Sequence, residues 1–176
     1  MSNQDKFVDA NHVDEGPYTS SHNGEQALNA AIIQANISES FEEYLEIFDA
    51  FYADDVEVRD ETREEPIRGK SKVRSLLLNF LLPLHVMAEV GGLSVSIHET
   101  SIPGDTANET HSAWTLQLKA PSGSSSTLSW YVVRRWNESH VVYERHYDHH
   151  ESGGPLTFDD FNFNAAGPRS GFRWVS

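Results

Sequence analysis

FYADDVEVRDETREEPIRGKSKVRSLL, residues 51–77, changes its hydrophobic period twice. Phe51 and Tyr52 end a run in which Phe41, Tyr44, Leu45 and Phe48 recur at helical spacing. Val56-Glu57-Val58-Arg59-Asp60 then alternates with period two, as a short half-buried strand does. Residues 62–69, TREEPIRG, contain Pro66 and Gly69 and read as a turn. From Ser71 the apolar residues Val73, Leu76, Leu77, Phe80 and Leu81 return to helical spacing over 71–82, and Pro83 is expected to end that helix. One strand is thus isolated between two helices.

Upstream, Leu28, Ile32 and Ala35 predict a first helix from Glu25, with Asn36 as its stop. Ser40 followed by Glu43 fits a capping box opening the helix over 41–52. Residues 1–24 are polar, broken by Gly16-Pro17 and Asn23-Gly24, and read as a loose arm. Downstream of Gly91-Gly92 the pattern is β throughout: LSVSIHE (93–99), ETHSAWTLQLKA (109–120), TLSWYVVRRW (127–136) and VVYERHYDHH (141–150). Three helices, a separated strand and a four-strand antiparallel run predict an α+β domain over 25–152. Residues 153–176 form an aromatic-rich tail expected to pack on the domain or a neighbour.

The chain has 27 acidic and 13 basic residues, a formal charge of −14. Phosphate would be repelled over most of such a surface, which argues against nucleic acid or an anionic membrane as partner. With no cysteine, thiolate chemistry, disulfides and Cys-based zinc sites are excluded, in keeping with a cytoplasmic protein. The longest apolar run, LLLNFLLPL (76–84), is too short to span a bilayer.

The order of elements around Phe51-Tyr52-Ala53-Asp54-Asp55, Arg59-Asp60, Pro66 and Gly69 resembles the nuclear transport factor 2-like superfamily, in particular its SnoaL-like and ketosteroid-isomerase-like branch. The resemblance covers about residues 25–150. It implies a cone: three N-terminal helices on a strongly curved antiparallel sheet, an apolar pocket at the open end, and usually a homodimer. It does not imply one activity, since isomerases, hydrolases, dehydratases, cyclases and non-enzymatic binders share the fold. Asp60 matches the branch's general base, and Tyr131 falls where an oxyanion-holding acid lies on the strand before the last hairpin. The branch's second oxyanion tyrosine is missing, since only Ile32, Ile33 and Gln34 stand near that place. Limonene-epoxide-hydrolase-like relatives carry a pocket-facing aspartate where Arg145-His146-Tyr147 here puts His146.

The last hairpin sets which side chains share a face. With Asn137–His140 as a four-residue turn, Trp136 faces Val141, Val133 faces Glu144, Tyr131 faces His146 and Ser129 faces Asp148. Arg134, Arg145 and Tyr147 then take the other face. A turn one residue shorter would instead put Trp130 opposite His146. In the chosen register Tyr131 and His146 become pocket partners, with Asp60 completing a catalytic set. Trp114, Leu116, Val133, Glu144 and Asp148 line the substrate. His146 and His149, three apart on a strand, project to opposite faces, so no metal site and no cofactor are expected. His85 either closes the pocket mouth or sits in an exposed loop.

The expected function is binding of a small, largely apolar molecule, with cofactor-free proton transfer by Asp60 or His146. The alternatives are a non-catalytic carrier or sensor, or a dimerisation module whose cavity is filled by its own side chains. The outer hairpin face, with Trp130, Val132, Arg134, Tyr143, Arg145 and Tyr147, is the expected homodimer surface.

Overall fold

The computed structural model describes residues 18–35, 40–102 and 106–161. Its elements run α1 (Tyr18–Gln34), α2 (Phe41–Phe51), β1 (Tyr52–Asp60), β2 (Ile67–Arg68), α3 (Lys70–Gly91), β3 (Ser94–Ser101), β4 (Glu109–Lys119), β5 (Ser125–Asn137) and β6 (His140–Gly153). A 3-10 turn at Phe158–Asp160 follows. The class is α+β, as expected. All six strands form one sheet in the order β2-β1-β6-β5-β4-β3. β3 to β6 pair antiparallel, but β1 lies parallel to β6, so the sheet is mixed rather than antiparallel. Three reversals separate β3 from β6, so β6 runs opposite to β3, and its register with β1 is parallel.

Ser40 caps α2 by accepting the Glu43 amide at 3.4 Å, and Glu42 and Glu43 complement the positive helix end. Tyr44, Leu45 and Phe48 form its buried stripe. α1 begins at Tyr18, earlier than expected, so residues 18–24 are helix rather than arm. Residues 1–17, the expected stop Asn36 and residues 162–176 of the tail lie outside the described residues.

α3 does not stop at Pro83 but continues to Gly91. A proline removes one bond of the helical ladder. Beyond it, Leu84 is buried and Met87 and Ala88 pack on the same apolar cluster, which holds the next turns in place. Gly92, at φ 73, then takes the left-handed conformation that closes a helix. The uninterrupted helix of 22 residues has a window of mean hydropathy 1.4, long and apolar enough to cross a bilayer by length and composition. Its Val73, Leu81 and Leu84 are nevertheless buried in this domain. Phe80, expected on that stripe, is 50% exposed, because it lies about 100° around the helix from Leu81.

Among the described residues two apolar clusters pack between the helices and the sheet. One joins Leu45, Leu81, Leu84, Leu93 and Leu116, with Trp130, Leu156 and Phe161 against it. The other joins Leu28, Phe48, Val56, Trp136 and Val141. Leu156 and Phe161 show that the start of the tail packs on the domain.

The β5–β6 register decides the rest. Asn137 pairs with His140 and Trp136 with Val141, as expected. Arg135, however, pairs with Tyr143, which leaves Val142 as the extra residue of a bulge. Beyond it Arg134 faces Glu144, Val133 faces Arg145, Val132 faces His146 and Tyr131 faces Tyr147. One inserted residue turns the parity over, because strand side chains alternate faces. Tyr131 and His146 therefore lie on opposite faces, and the expected pairing of the two is overturned. A second shift lies between Ser129 and Tyr131, near Asp148, whose φ of 55 is left-handed.

Candidate functional site

Arg134 and Glu144, cross-strand partners, both project to the sheet face that packs on the helices. The Arg134 side chain is 4% exposed. Its Nε donates to Glu144 Oε2 at 2.6 Å, and its Nη1 donates to Glu25 Oε1 at 2.7 Å and to Asn29 Oδ1 at 2.9 Å. Glu25 and Asn29 stand four apart on α1, so one helix face delivers both. Thr110 Oγ1 and Ser112 Oγ on β4 donate to the two Glu25 oxygens at 2.8 and 3.2 Å. Trp136 Nε1 donates to Thr110 Oγ1 and Trp114 Nε1 to Ser112 Oγ, each at 2.9 Å. The guanidinium carbon lies 5.7 Å from the Trp114 ring centre, a cation–π distance.

Tyr52 Oη donates to Glu144 Oε2 at 2.5 Å, and His146 Nε2 lies 2.7 Å from the other oxygen, Oε1. Burial would raise the Glu144 carboxyl, but the Arg134 guanidinium and His146 outweigh it and hold it well below the usual carboxylate range. For Tyr52 burial and the Glu144 carboxylate act together, pushing the phenol well above 10. Burial would favour a neutral Arg134, yet the charge of Glu25 overrides it and the guanidinium stays charged. The network thus holds two carboxylates on one arginine in the interior. Each is bonded several times over, as buried charge requires.

His146 is the member at the edge, its side chain 24% exposed against 8% for Glu144. Asp60 lies beside it across the parallel β1–β6 pair. Burial raises the Asp60 carboxyl, but the Thr62 amide and hydroxyl, bonded at 2.8 and 2.5 Å, outweigh that and leave it lowered. This is the local turn bond that aspartate makes after a strand. It runs opposite to the raised carboxyl expected of a general base, and His149 Nε2 at 3.4 Å adds to it.

The other sequence-derived residues separate. Trp114 is 3% exposed on the inner face, within the network. Leu116, 2% exposed, is packed in the first apolar cluster. Tyr131 and Val133 stand on the outer face, against the expectation, because of the Val142 bulge. Tyr131 stacks there on Tyr147, with ring centres 5.5 Å apart. Asp148, expected to line the substrate, is about half exposed at the second bulge and lies 3.1 Å from His150. Trp130, Val132 and Arg134, expected outside, face inward. His85 is helical rather than in a loop, and lies edge-on to Phe41 at 5.2 Å. Two open hollows of about 350 and 360 Å³ indent the surface, one beside Tyr52, Asp54 and Lys70 and the other beside Asp60, Tyr143 and Arg145. Among the described residues no three His, Asp or Glu side chains gather as metal ligands.

Glu25, Asn29, Tyr52 and Arg134 were not assigned to the site from the sequence, which placed Tyr52 only in the family motif and Arg134 on the outer face. Glu25 and Asn29 carry a legible signal, two polar residues in helical register with the buried Leu28 and the half-buried Ile32. Arg134 carries none, since only the register distinguishes it from Arg135.

The six-stranded sheet with its three helices is the nuclear transport factor 2-like fold. An NTF2-like protein of unknown function from Exiguobacterium sp. 255-15 superposes with a TM-score of 0.50 at 10% identity, over 70% of this chain and 95% of that one. A candidate polyketide cyclase from Xanthomonas campestris pv. campestris superposes with a TM-score of 0.51 at 13% identity, over 73% of this chain and 93% of that one. No sequence profile of a protein family matches the chain, and no curated protein matches it in sequence.

Proposed function

We propose that this chain binds a small, largely apolar organic molecule between the inner sheet face and the helices, the sheet closing on them as a cone. We further propose that it moves a proton on that molecule without a cofactor, with His146 as the acid–base group. The observation that carries this reading is the 2.7 Å contact of His146 Nε2 with Glu144, at the boundary between the buried network and solvent. Arg134 and Tyr52 keep Glu144 anionic and in place, so the carboxylate orients the imidazole through Nε2. Nδ1 is then left for the substrate. Asp60, with its carboxyl lowered, serves as an anion beside the imidazole, and the base role passes to His146. Isomerisation, cyclisation, dehydration and hydrolysis all use such a transfer, and the fold shared with a candidate polyketide cyclase is in keeping with it. The charge of −14 and the lack of cysteine favour a cytoplasmic protein whose partners are neither nucleic acid nor membrane.

A homodimer through the outer sheet face belongs to the same proposal. Tyr131, Tyr143 and Tyr147 stand there with Arg135 over Tyr143 at 4.8 Å and Arg145 over Tyr147 at 5.3 Å. Tyrosine and arginine are the residues enriched at such surfaces.

Native mass spectrometry of the purified chain is expected to show a retained small ligand. In D₂O that ligand should gain deuterium with the wild type and not with His146→Gln. Equal exchange in both would leave a non-catalytic carrier, and a chain that retains and binds nothing would remove the reading.

A further inference from the structure

Among the described residues three buried side-chain polar atoms have no hydrogen-bond partner: Tyr44 Oη, His85 Nδ1 and Trp130 Nε1. They come from α2, α3 and β5 and surround one apolar cluster. Tyr44, 7% exposed, belongs to that cluster, and Trp130 packs against it. His85 lies edge-on to Phe41, which packs against it too. Nε2 of His85 is 3.7 Å from Glu89 Oε2, so Nδ1 is the nitrogen left unused. Leu156 and Phe161 also enter this cluster, from either side of the Phe158–Asp160 turn. Asp160 ties that turn to the β4–β5 loop by accepting from Ser122 Oγ at 2.8 Å.

A position that needs only aromatic volume is filled by phenylalanine without burying a polar atom unpaired. Here a phenol, an indole N–H and an imidazole nitrogen all stand idle around the same apolar side chains. They differ from the Arg134 network, in which Trp114 and Trp136 each have a partner for Nε1. An indole N–H can only donate, so its missing partner must be an acceptor. Burial pushes the Tyr44 phenol up to about 12, which keeps it a donor across the neutral range. His85 Nδ1 can accept or donate, according to its tautomer.

We propose that this cluster is the seat of the small molecule, that the molecule carries acceptor oxygens on an apolar frame, and that it enters by displacing Leu156 and Phe161. The inference rests on the small-molecule reading above and adds a ligand class and an entrance to it. The place adjoins the proposed acid–base group. Trp130 lies two residues along β5 from Val132, the cross-strand partner of His146, and stacks on Trp114 with centres 6.5 Å apart. Two unpaired donors in an apolar wall discriminate sharply, because a hydrocarbon of the same shape leaves them unpaired and a carbonyl or ether oxygen does not.

The test uses two probes of one shape, 9-fluorenone and fluorene, titrated against the full-length chain by quenching of tryptophan fluorescence. The ketone is expected to bind at least tenfold more tightly than the hydrocarbon. Tyr44→Phe should remove about three- to tenfold of that preference while leaving fluorene affinity unchanged, and Trp130→Phe should act in the same direction. Phe161→Ala should tighten both probes several-fold by clearing the entrance. Equal affinity for the two probes, or a preference unchanged in both variants, would overturn the ligand class while the small-molecule reading stands. Binding of neither probe, even to Phe161→Ala, would overturn both. Unchanged affinity in Phe161→Ala with the preference intact would overturn the entrance.

Discussion

Arg134 and Glu144 face each other across β5 and β6, with Nε 2.6 Å from Oε2 and both side chains almost wholly buried. Every functional expectation for this interior depends on that pair, since it anchors His146 through Glu144 and reaches α1 through Glu25.

Removing one member of a buried ion pair leaves the other charge uncompensated, at a cost of about 3–5 kcal/mol. Arg134→Met is therefore expected to lower stability by about that amount in urea unfolding. The triple variant Glu25→Gln, Arg134→Met, Glu144→Gln should recover much of the loss, because no charge is then stranded. A loss under about 1 kcal/mol in Arg134→Met would show that the network carries little of the fold's stability.

Glu144 gives the fold a pH dependence of fixed sign. Its carboxyl is lowered from 4.5 in the folded chain, so its contribution is complete above that value and is lost as pH falls through the lower folded value. Stability should decline as pH drops below about 4.5, and the decline should be shallower in Glu144→Gln. Equal slopes for wild type and variant in acid titrations of unfolding would contradict this.

Gly153 closes β6 at φ 88, and a Cβ there would lie 2.3 Å from the Ser125 carbonyl oxygen. Both terms act against any side chain, and backbone cannot swing aside cheaply. Gly153→Ala is expected to cost about 1–3 kcal/mol, while Gly154→Ala, with open space around it, should be near neutral. Thermal unfolding of the two variants separates them, and equal midpoints would contradict the expectation.

The proposed dimer has a direct readout in light scattering, where the wild type should give twice the chain mass at micromolar concentration. Tyr147→Glu places a charge between Tyr131 and Arg145 on the outer face and should shift the mass toward the monomer. A wild-type chain at monomer mass would remove the proposal.

The local elements were legible because their causes are local. Ser40 caps a helix by accepting the Glu43 amide, and Val56 to Asp60 alternate as a strand does. Failures came where a non-local term decided. Pro83 is a strong local breaker, yet the packing of Leu84, Met87 and Ala88 carries the helix past it. Val142 resembles any other strand valine, but as the bulged residue it exchanges the faces of Arg134 and Tyr131. The site followed the register. Glu144 and His146 do stand together on the inner face, though across from Arg134 and Val132 rather than Val133 and Tyr131. Asp60 was read by its position in a family pattern, and its Thr62 bonds are a purely local alternative that the sequence could not rank.

The most direct measurement is the ring ¹⁵N spectrum of His146, assigned by its loss in His146→Gln, recorded while small apolar molecules with and without a carbonyl group are added to the full-length chain. The expected result is that bound molecules shift the Nδ1 resonance of His146, and that those bearing a carbonyl bind more tightly. Molecules that bind, as judged by quenching of tryptophan fluorescence in the same titration, yet leave both ring nitrogens of His146 unmoved would contradict a ligand site on the inner face of the sheet.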